Sequence, residues 1–315
     1  MRLLITGSSG QIGTNLALHA LDGGHEVVGI DCRPNSWTDR FETLVLDLAQ
    51  PLSAAPWRLG EVTLPAGDVI VHLAAHAKVH ALVVRPMGAL ENYVMATNAL
   101  ELARLTHTPI VLASSREVYG HQPPERGPVP ETAAAFTASP SPYAAAKLAS
   151  EALAAAYFRC YGLPYLVFRF SNVYGRYDND LARLERALWI FARGIGRGEP
   201  ITVFGADKSL DFTYIDDAID GLWRGISALV EGTITHDTFN LAYGEGNRLT
   251  SLVQWIGEEL ERQPQMQIES ARPGEVTHYV ADISRARRRL GYAPQVRLRS
   301  GVHRALVWAR EHEQE

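Results

Sequence analysis

The chain carries a glycine-rich segment, Thr6-Gly7-Ser8-Ser9-Gly10-Gln11-Ile12-Gly13, at the point where a short apolar run gives way to a helical pattern. Residues 3–5 read as a buried strand, and residues 11–21 carry apolar side chains at helical spacing. Glycines at such a junction permit a tight turn, and the helix N-terminus offers unpaired N–H groups to phosphate. We therefore predict a dinucleotide site whose contacts are Gly7, Gly10, Gln11, Ile12 and Gly13.

An acidic residue, Asp31, closes the second predicted strand at residues 26–30. A carboxylate at this position binds both hydroxyls of an adenosine ribose and repels a 2′-phosphate, so NAD is favoured over NADP. Arg33 lies close enough to keep NADP as an alternative. A structural turn that holds no ligand is the other interpretation of the glycine segment.

Apolar runs of strand length alternate with helical patterns through the first half of the chain. Further strands are predicted at residues 43–46, 69–73, 110–113 and 165–170. The alternation predicts an α/β fold, a Rossmann-type doubly wound parallel sheet with right-handed connections. After Asn172 the pattern changes, and we expect a smaller, mostly helical substrate domain. The predicted boundaries assign residues 1–172 and about 211–240 to the NAD-binding domain, and about 173–210 and 241–315 to the substrate domain.

The composition of the 315 residues argues against several classes of protein. A formal net charge of −5 and a pI of about 6.1 argue against nucleic acid as the main partner. The two cysteines are too few for a disulfide framework and fit a reducing compartment. A strand begins at Arg2, so no signal peptide is expected, and no apolar stretch reads as a membrane span. We expect a cytoplasmic protein.

Tyr143 and Lys147 stand four residues apart at the start of a predicted helix, after Pro140-Ser141-Pro142. Residues at this spacing share a helix face, so the phenol and the ammonium are neighbours. A nearby ammonium favours the phenolate, and we expect it to lower the pKa of Tyr143 and make the phenol a general base. The alternative is a pair of amphipathic side chains on a solvated face.

Polar residues follow the strand at residues 110–113, at the edge where parallel sheets bind ligands. The Ser115 hydroxyl can hydrogen-bond a reacting alcohol and share its proton with Tyr143. Strand-end serines that bond local backbone are the alternative. Lys78 follows the carboxyl end of another predicted strand and can face the same ligand.

Two other features are interpreted as structural. His72, His76 and His80 do not share one helix face, because His72 belongs to a predicted strand, and we predict no metal site. Cys160 is expected to be a small buried residue rather than a nucleophile.

The chain resembles the extended short-chain dehydrogenase/reductase family, in its nucleotide-sugar epimerase/dehydratase branch. The resemblance covers nearly the whole chain. Besides the glycine segment it rests on Asp47-Leu48, His72-Leu73-Ala74-Ala75, Ser114-Ser115 with Val118-Tyr119-Gly120, Tyr143 with Lys147, Arg169-Phe170-Ser171-Asn172-Val173-Tyr174-Gly175, Asp211-Phe212-Thr213-Tyr214-Ile215-Asp216-Asp217, Arg272-Pro273-Gly274-Glu275 and Ala281-Asp282-Ile283-Ser284.

The resemblance implies a role for each matched residue. Tyr143 would be the catalytic base, Lys147 would hold the nicotinamide ribose, and Ser115 would orient the sugar hydroxyl. The residues that would border the rest of the cofactor are Asp47 and Leu48 at the adenine, and Leu73, Ala74 and Ala75 along the channel.

On the substrate side, the resemblance implies that Asn172 and Arg272 meet a nucleotide diphosphate, and an arginine fork suits that group. Related enzymes usually carry a second arginine where this chain has Leu210, and Lys208 or Arg176 can substitute for it. Phe204 can stack on the nucleotide base, with core packing as the alternative. A homodimer formed through the long helices is also implied.

Three functions remain open at this point. The first is C4 epimerisation of a UDP-sugar through a transient 4-keto intermediate. The second is dehydration or decarboxylation with Glu117 as the base; related dehydratases place Asp-Glu before Val-Tyr-Gly, whereas this chain has Arg116-Glu117. The third is a non-catalytic NAD-binding redox sensor, which has no need of Ser115, Tyr143 and Lys147.

Overall fold

The computed structural model describes residues 1–50, 52–54, 57–59, 62–178, 186–272 and 274–312. The strands in the described part are β1 (Arg2–Thr6), β2 (Glu26–Asp31), β3 (Glu42–Val45), β4 (Leu52–Ala54), β5 (Trp57–Leu59), β6 (Val62–Thr63), β7 (Val69–His72), β8 (Ile110–Ser115), β9 (Tyr165–Phe170), β10 (Asn172–Tyr174), β11 (Ile201–Phe204), β12 (Ser209–Tyr214), β13 (His236–Leu241), β14 (Gly246–Arg248), β15 (Met266–Glu269) and β16 (His278–Tyr279). The helices are α1 (Gln11–Asp22), α2 (Val79–Val84), α3 (Met87–Thr106), α4 (Pro142–Tyr161), α5 (Ala187–Arg197), α6 (Ile215–Val230), α7 (Leu249–Glu259), α8 (Ser284–Leu290) and α9 (Leu298–His312).

Seven parallel strands form the central sheet, in the order β13-β9-β8-β7-β1-β2-β3. Both faces of the sheet are covered, because Leu3 and Ile5 of β1 enter one apolar core and Leu4 enters another. Helices α1 and α6 pack together on one side, and α3 and α4 pack together on the other. The predicted Rossmann-type fold is confirmed.

A smaller mixed sheet contains β10, β12, β14 and β16, and β11 and β15 form a separate pair. Strand β12 pairs with β10 in the smaller sheet. After β12 the chain returns to the central sheet through α6 and β13, which pairs with β9. The predicted domain boundaries stay a prediction.

The carboxyl ends of β1, β2, β7, β8 and β9 meet at one edge of the central sheet. The register aligns Thr6 with His72, and Ser115 with Phe170. Parallel strands bring their carboxyl ends together, so the glycine segment and Ser115 open onto the same edge.

Two sequence expectations concern exposure. Cys160 is exposed rather than buried, because the last turn of α4, residues 159–161, faces solvent. None of the helices in the described ranges combines the length and apolar content that a bilayer crossing requires.

Candidate active site

The glycine segment turns tightly between β1 and α1. Gly7 adopts φ +72°, and a Cβ atom there would stand 2.7 Å from the amide nitrogen of Ala74. A Cβ atom on Gly13 would overlap the carbonyl oxygen of Gly7. Only glycine lets the three backbone segments approach this closely, so the turn leaves the N-terminus of α1 uncovered by side chains.

The residues around this turn fit a dinucleotide. Both polar atoms of the Gln11 side chain are buried and have no partner within the described residues. The Asp31 carboxylate accepts a hydrogen bond from the Ser9 amide at 3.0 Å and retains lone pairs for ribose hydroxyls. Arg33 donates to the carbonyl oxygen of Ser9 at 3.2 Å. Asp47 and Leu48 follow β3, at the same edge.

Leu73, Ala74 and Ala75 are half-buried and continue from β7 past the glycine segment. The amide of Leu73 donates to the carbonyl oxygen of Thr6 at 3.0 Å, and this bond fixes the two loops side by side. The predicted lining residues of a cofactor channel therefore lie against the predicted phosphate turn.

Ser115 ends β8 and caps the 3-10 helix at Arg116–Tyr119. Its oxygen accepts a hydrogen bond from the Glu117 amide at 3.2 Å, so its own proton is available to a second partner. Ser114 points to the other face of the strand and donates to Glu151 at 2.5 Å. Of the two serines, Ser115 is the one that faces the site.

Tyr143 occupies the first turn of α4, which begins with the Ser141 cap and Pro142. The phenol is buried, and its ring packs with Leu82 of α2. Burial raises the pKa of Tyr143 to about 12, and interaction with the Ser115 hydroxyl only partly offsets this rise. The structure therefore brings Ser115 and Tyr143 together at the sheet edge.

The expected direction of the Tyr143 pKa shift is wrong for this arrangement of the chain. The Lys147 ammonium lies 5.9 Å from the centre of the Tyr143 ring and donates to the carbonyl oxygen of Ala113 at 2.8 Å. Burial lowers the pKa of Lys147 to about 8, with Glu151 opposing the shift. At this distance the ammonium does not outweigh the cost of burying a phenolate.

Arg116 and Glu117 form a buried ion pair at 2.9 Å directly after Ser115. Nη1 of Arg116 and Oε2 of Glu117 are buried without a partner in the described part of the chain. The charge of Glu117 raises the pKa of Tyr143, and the charges of Arg186 and Arg116 lower it. Both arginines were missed as site residues by sequence reasoning; the position of Arg116 between Ser115 and Glu117 was the available signal.

Phe204, at the end of β11, and Arg272, shortly after β15, come together because these two strands pair. The Arg272 guanidinium lies 3.9 Å from the centre of the Phe204 ring. Nearby, Lys208 forms an ion pair with Glu275 at 2.8 Å. A Cβ atom on Gly274 would lie 3.8 Å from Cβ of Ser141, so this loop reaches the start of the Tyr143 helix.

The other predicted substrate residues are Asn172, Arg176 and Lys78. Asn172 begins β10 and donates to the carbonyl oxygen of Asp211 at 2.8 Å. Arg176 forms a half-exposed ion pair with Asp216 at 2.5 Å, at the start of α6. Lys78 is exposed and precedes α2.

A model of the NAD dependent epimerase/dehydratase family matches residues 3–242. The chain belongs to this family. It is 30% identical to a probable UDP-glucuronate 4-epimerase of Rhizobium meliloti, over 98% of this chain and 96% of the relative. Among solved structures, MoeE5 in complex with UDP-glucuronic acid and NAD is similar at 26% identity and a TM-score of 0.85, covering 99% of both chains. A UDP-glucose 4-epimerase of Thermotoga maritima shares the fold, with a TM-score of 0.86 at 23% identity and full coverage of both chains.

Membership in this family agrees with the predicted cofactor, NAD. The described residues contain no group of three or more His, Cys, Asp or Glu side chains placed to hold a metal ion. His72 instead shares a hydrogen bond with Thr6 at 2.8 Å, and burial, followed by the charge of Lys147, lowers the pKa of His72 to about 3. The acid–base groups that this site offers are therefore a tyrosine, a serine, a lysine and a carboxylate.

Proposed function

We propose that this protein is an NAD-dependent epimerase that inverts C4 of a UDP-sugar through a transient 4-keto intermediate. The observation that best supports the proposal is that Ser115 and Tyr143 interact at the sheet edge onto which the glycine turn opens. A redox sensor has no need of a buried phenol whose pKa responds to a neighbouring hydroxyl. The relatives named as UDP-glucuronate 4-epimerases support the same function.

Tyr143 takes the proton of the C4 hydroxyl in this proposal. The Ser115 oxygen accepts from the Glu117 amide and has a second lone pair for the C4 hydroxyl proton, while its own proton is donated to the Tyr143 oxygen. NAD supplies, when bound, a positively charged ring that accepts hydride from C4 and returns it. Tyr143 returns the proton after the 4-keto sugar has presented its other face.

Lys147 has two roles in this scheme. Its ammonium would hold the nicotinamide ribose, and it would keep positive charge on the side of the Tyr143 ring. The pKa of Tyr143 has to fall from about 12 for the phenol to act as a base near neutral pH. Positive charge near the phenol stabilises the phenolate and therefore lowers the pKa of Tyr143.

Recognition of the rest of the substrate is assigned to the smaller domain. Arg272 would bind the diphosphate. Phe204, whose ring centre lies 3.9 Å from the Arg272 guanidinium, would stack on the uracil ring next to that diphosphate. Asn172, Lys78 and Arg176 would extend this contact. The cofactor would be held by Gly7, Gly10, Gln11, Ile12, Gly13, Asp31, Asp47, Leu48, Leu73, Ala74 and Ala75.

A panel of UDP-sugars tests the proposal. Purified protein is incubated with UDP-glucuronate and UDP-glucose, and the products are analysed by mass spectrometry and proton NMR. We expect an unchanged mass and inverted coupling at C4. Bound NAD with no change in any sugar would contradict the proposal and favour the sensor.

A lyase is the second candidate, and one observation favours it. Oε2 of Glu117 is buried, has no partner among the described residues, and is charged close to Tyr143. A carboxylate so placed can remove the C5 proton next to a C4 ketone. The C5 carbanion then expels the C6 hydroxyl as water. In Glu117→Gln, a dehydratase would lose product formation with loss of water, whereas an epimerase would keep inverting C4. Loss of carbon dioxide from a uronic acid breaks the C5–C6 bond and needs no proton removal at C5, so a decarboxylase would depend on Glu117 less.

We also propose a cytoplasmic homodimer. Exposed apolar side chains at Val84, Met87 and Leu90 lie at and before the start of α3, which packs along α4. The two cysteines are free and exposed, which fits a reducing compartment. Sedimentation at micromolar concentration tests the dimer, and a single-chain mass would contradict it.

A further inference from the structure

Of the two terminal nitrogens of the Arg116 guanidinium, one has a partner among the described residues and the other has none. Nη2 lies 2.9 Å from Oε1 of Glu117, whereas Nη1 is buried and has no acceptor within the described residues. The whole side chain is only 8% exposed. Buried donors are normally hydrogen-bonded, so an unused guanidinium N–H beside Ser115 calls for an acceptor from a ligand.

The position of Arg116 identifies the part of the substrate that it faces. Arg116 follows Ser115 directly, and its charge lowers the pKa of both Tyr143 and Asp211 of β12. Its guanidinium also lies 6.0 Å from the centre of the Tyr279 ring. It therefore stands between the catalytic tyrosine and the smaller sheet, where the two domains face each other.

The geometry of a pyranose ring limits which groups of the sugar Nη1 of Arg116 can contact. With the C4 hydroxyl at Ser115 and Tyr143, the diphosphate on C1 lies at the opposite end of the ring. The groups that flank C4 are the C3 hydroxyl and the substituent on C5. Of these, only the carboxylate of a uronic acid is an anion, and a guanidinium is the side chain best suited to bind one.

The charges around Tyr143 also favour an anionic sugar. Arg116 and Arg186 are the positive groups, and Glu117 and Asp178 are the negative ones, with Asp178 2.9 Å from Arg186. Burial raises the pKa of Asp178 to about 7, which weakens the negative charge opposed to Arg186.

We propose that Arg116 determines specificity for a UDP-uronic acid by donating from Nη1 to the C5 carboxylate while Nη2 stays on Glu117. This inference rests on the proposed C4 epimerisation. It adds a reason why Arg116 replaces the acid that related dehydratases carry at this position: the sugar that binds here brings its own carboxylate.

The test compares kcat/KM for UDP-glucuronate and UDP-glucose in the wild type and in Arg116→Leu. We expect the wild type to prefer the acid and the variant to lose roughly 10- to 100-fold on the acid, the usual worth of a charged hydrogen bond. Turnover of UDP-glucose should fall by a smaller factor, because loss of the Arg116 charge raises the pKa of Tyr143 for both sugars, whereas the carboxylate contact is lost only for the acid. Arg116→Lys should restore part of the preference, because charge is kept and the fork is lost.

Two further variants separate recognition from folding. Arg116→Leu leaves Glu117 buried and unpaired, so the double variant Arg116→Leu/Glu117→Leu removes both charges and carries the test if the single variant does not fold. Arg299→Leu is the matched control, since Arg299 is an exposed ion-pair residue of α9.

The outcomes distinguish this inference from the proposed function. Equal losses on both sugars in a folded variant, or a wild-type preference for UDP-glucose, overturn the role of Arg116 and leave the epimerase intact. If no UDP-sugar is epimerised, the proposed function itself fails. Should neither variant fold, the remaining test is the ratio of kcat/KM for UDP-glucuronate to kcat/KM for UDP-glucose in the wild type. The proposed role of Arg116 requires this ratio to exceed one, and a lower ratio overturns it.

Discussion

The glycine turn at residues 7–13 and the charged pair Arg116–Glu117 open onto the same edge of the sheet but are built differently. The turn is made of backbone: its close contacts are between main-chain atoms of three segments. The second region, which we call the sugar end after its proposed function, consists of Tyr143, Lys147 and the Arg116–Glu117 ion pair, and all four side chains are less than a tenth exposed. The main-chain contacts of the first region determine the shape of the turn. The buried ionisable side chains of the second region determine the charge around Tyr143.

This difference predicts how each region fails. Backbone packing tolerates changes of charge nearby but no added atoms, because neighbouring main chain cannot move aside. Buried ionisable groups tolerate small changes of shape but not the loss of a charge, because an unpaired partner remains behind. Variants in the two regions should therefore separate cofactor binding from turnover.

The largest effect is expected for Tyr143→Phe, which removes the proton-transfer group of the sugar end. Turnover should fall by a factor on the order of 10²–10⁴, the usual contribution of a positioned acid–base group. The glycine turn is untouched, so NAD should stay bound, as measured by absorbance of the purified protein. Near wild-type turnover would remove Tyr143 from the mechanism.

Lys147→Met tests the cost of burying charge at the sugar end. The pKa of Lys147 is about 8 in the folded protein, below its ordinary value of 10.5, so between these values the unfolded chain binds more protons. Lys147 should therefore contribute a rise of up to about 3 kcal/mol in the free energy of unfolding across this window, measured as the difference between the wild type and Lys147→Met, because Tyr143, whose pKa is raised to about 12, contributes in the opposite direction.

Urea unfolding of the nucleotide-free protein at pH 8 and pH 10 measures this rise. Lys147→Met keeps the length of the side chain without the charge and should lack the rise. The same pH dependence in both proteins would show that Lys147 is not the group responsible.

Gly13→Ala tests the backbone-built region. The added Cβ atom overlaps the Gly7 carbonyl oxygen, and the strain should weaken NAD binding by about 10–100-fold. Gly196→Ala is the control, since a Cβ atom there meets nothing within 4 Å. Equal NAD affinities in the two variants, measured by calorimetry, would argue against a close-packed phosphate turn.

Most of the backbone-built region could be predicted from the sequence. A glycine pattern between a strand and a helix specifies local geometry, and the fold and the turn follow from that pattern. The Tyr143–Lys147 spacing was equally local, because four residues make one turn of a helix.

What could not be predicted depends on contacts between distant segments. The pKa of Tyr143 rises because the phenol is buried against α2, and spacing within α4 contains no information on that burial. The contact of Arg272 with Phe204 joins β11 to the segment after β15, 68 residues later in sequence, and depends on the pairing of these two strands. The pairing of β12 with β10 is likewise a contact between separate segments.

One isotope measurement tests the central claim that C4 is oxidised and reduced again within the site. UDP-glucuronate carrying deuterium at C4 is converted in ordinary water, and the epimer is analysed by mass spectrometry. Hydride that leaves C4 and returns from the same bound cofactor predicts that the product keeps its deuterium. A product that has exchanged the C4 deuterium for hydrogen from water would contradict the account.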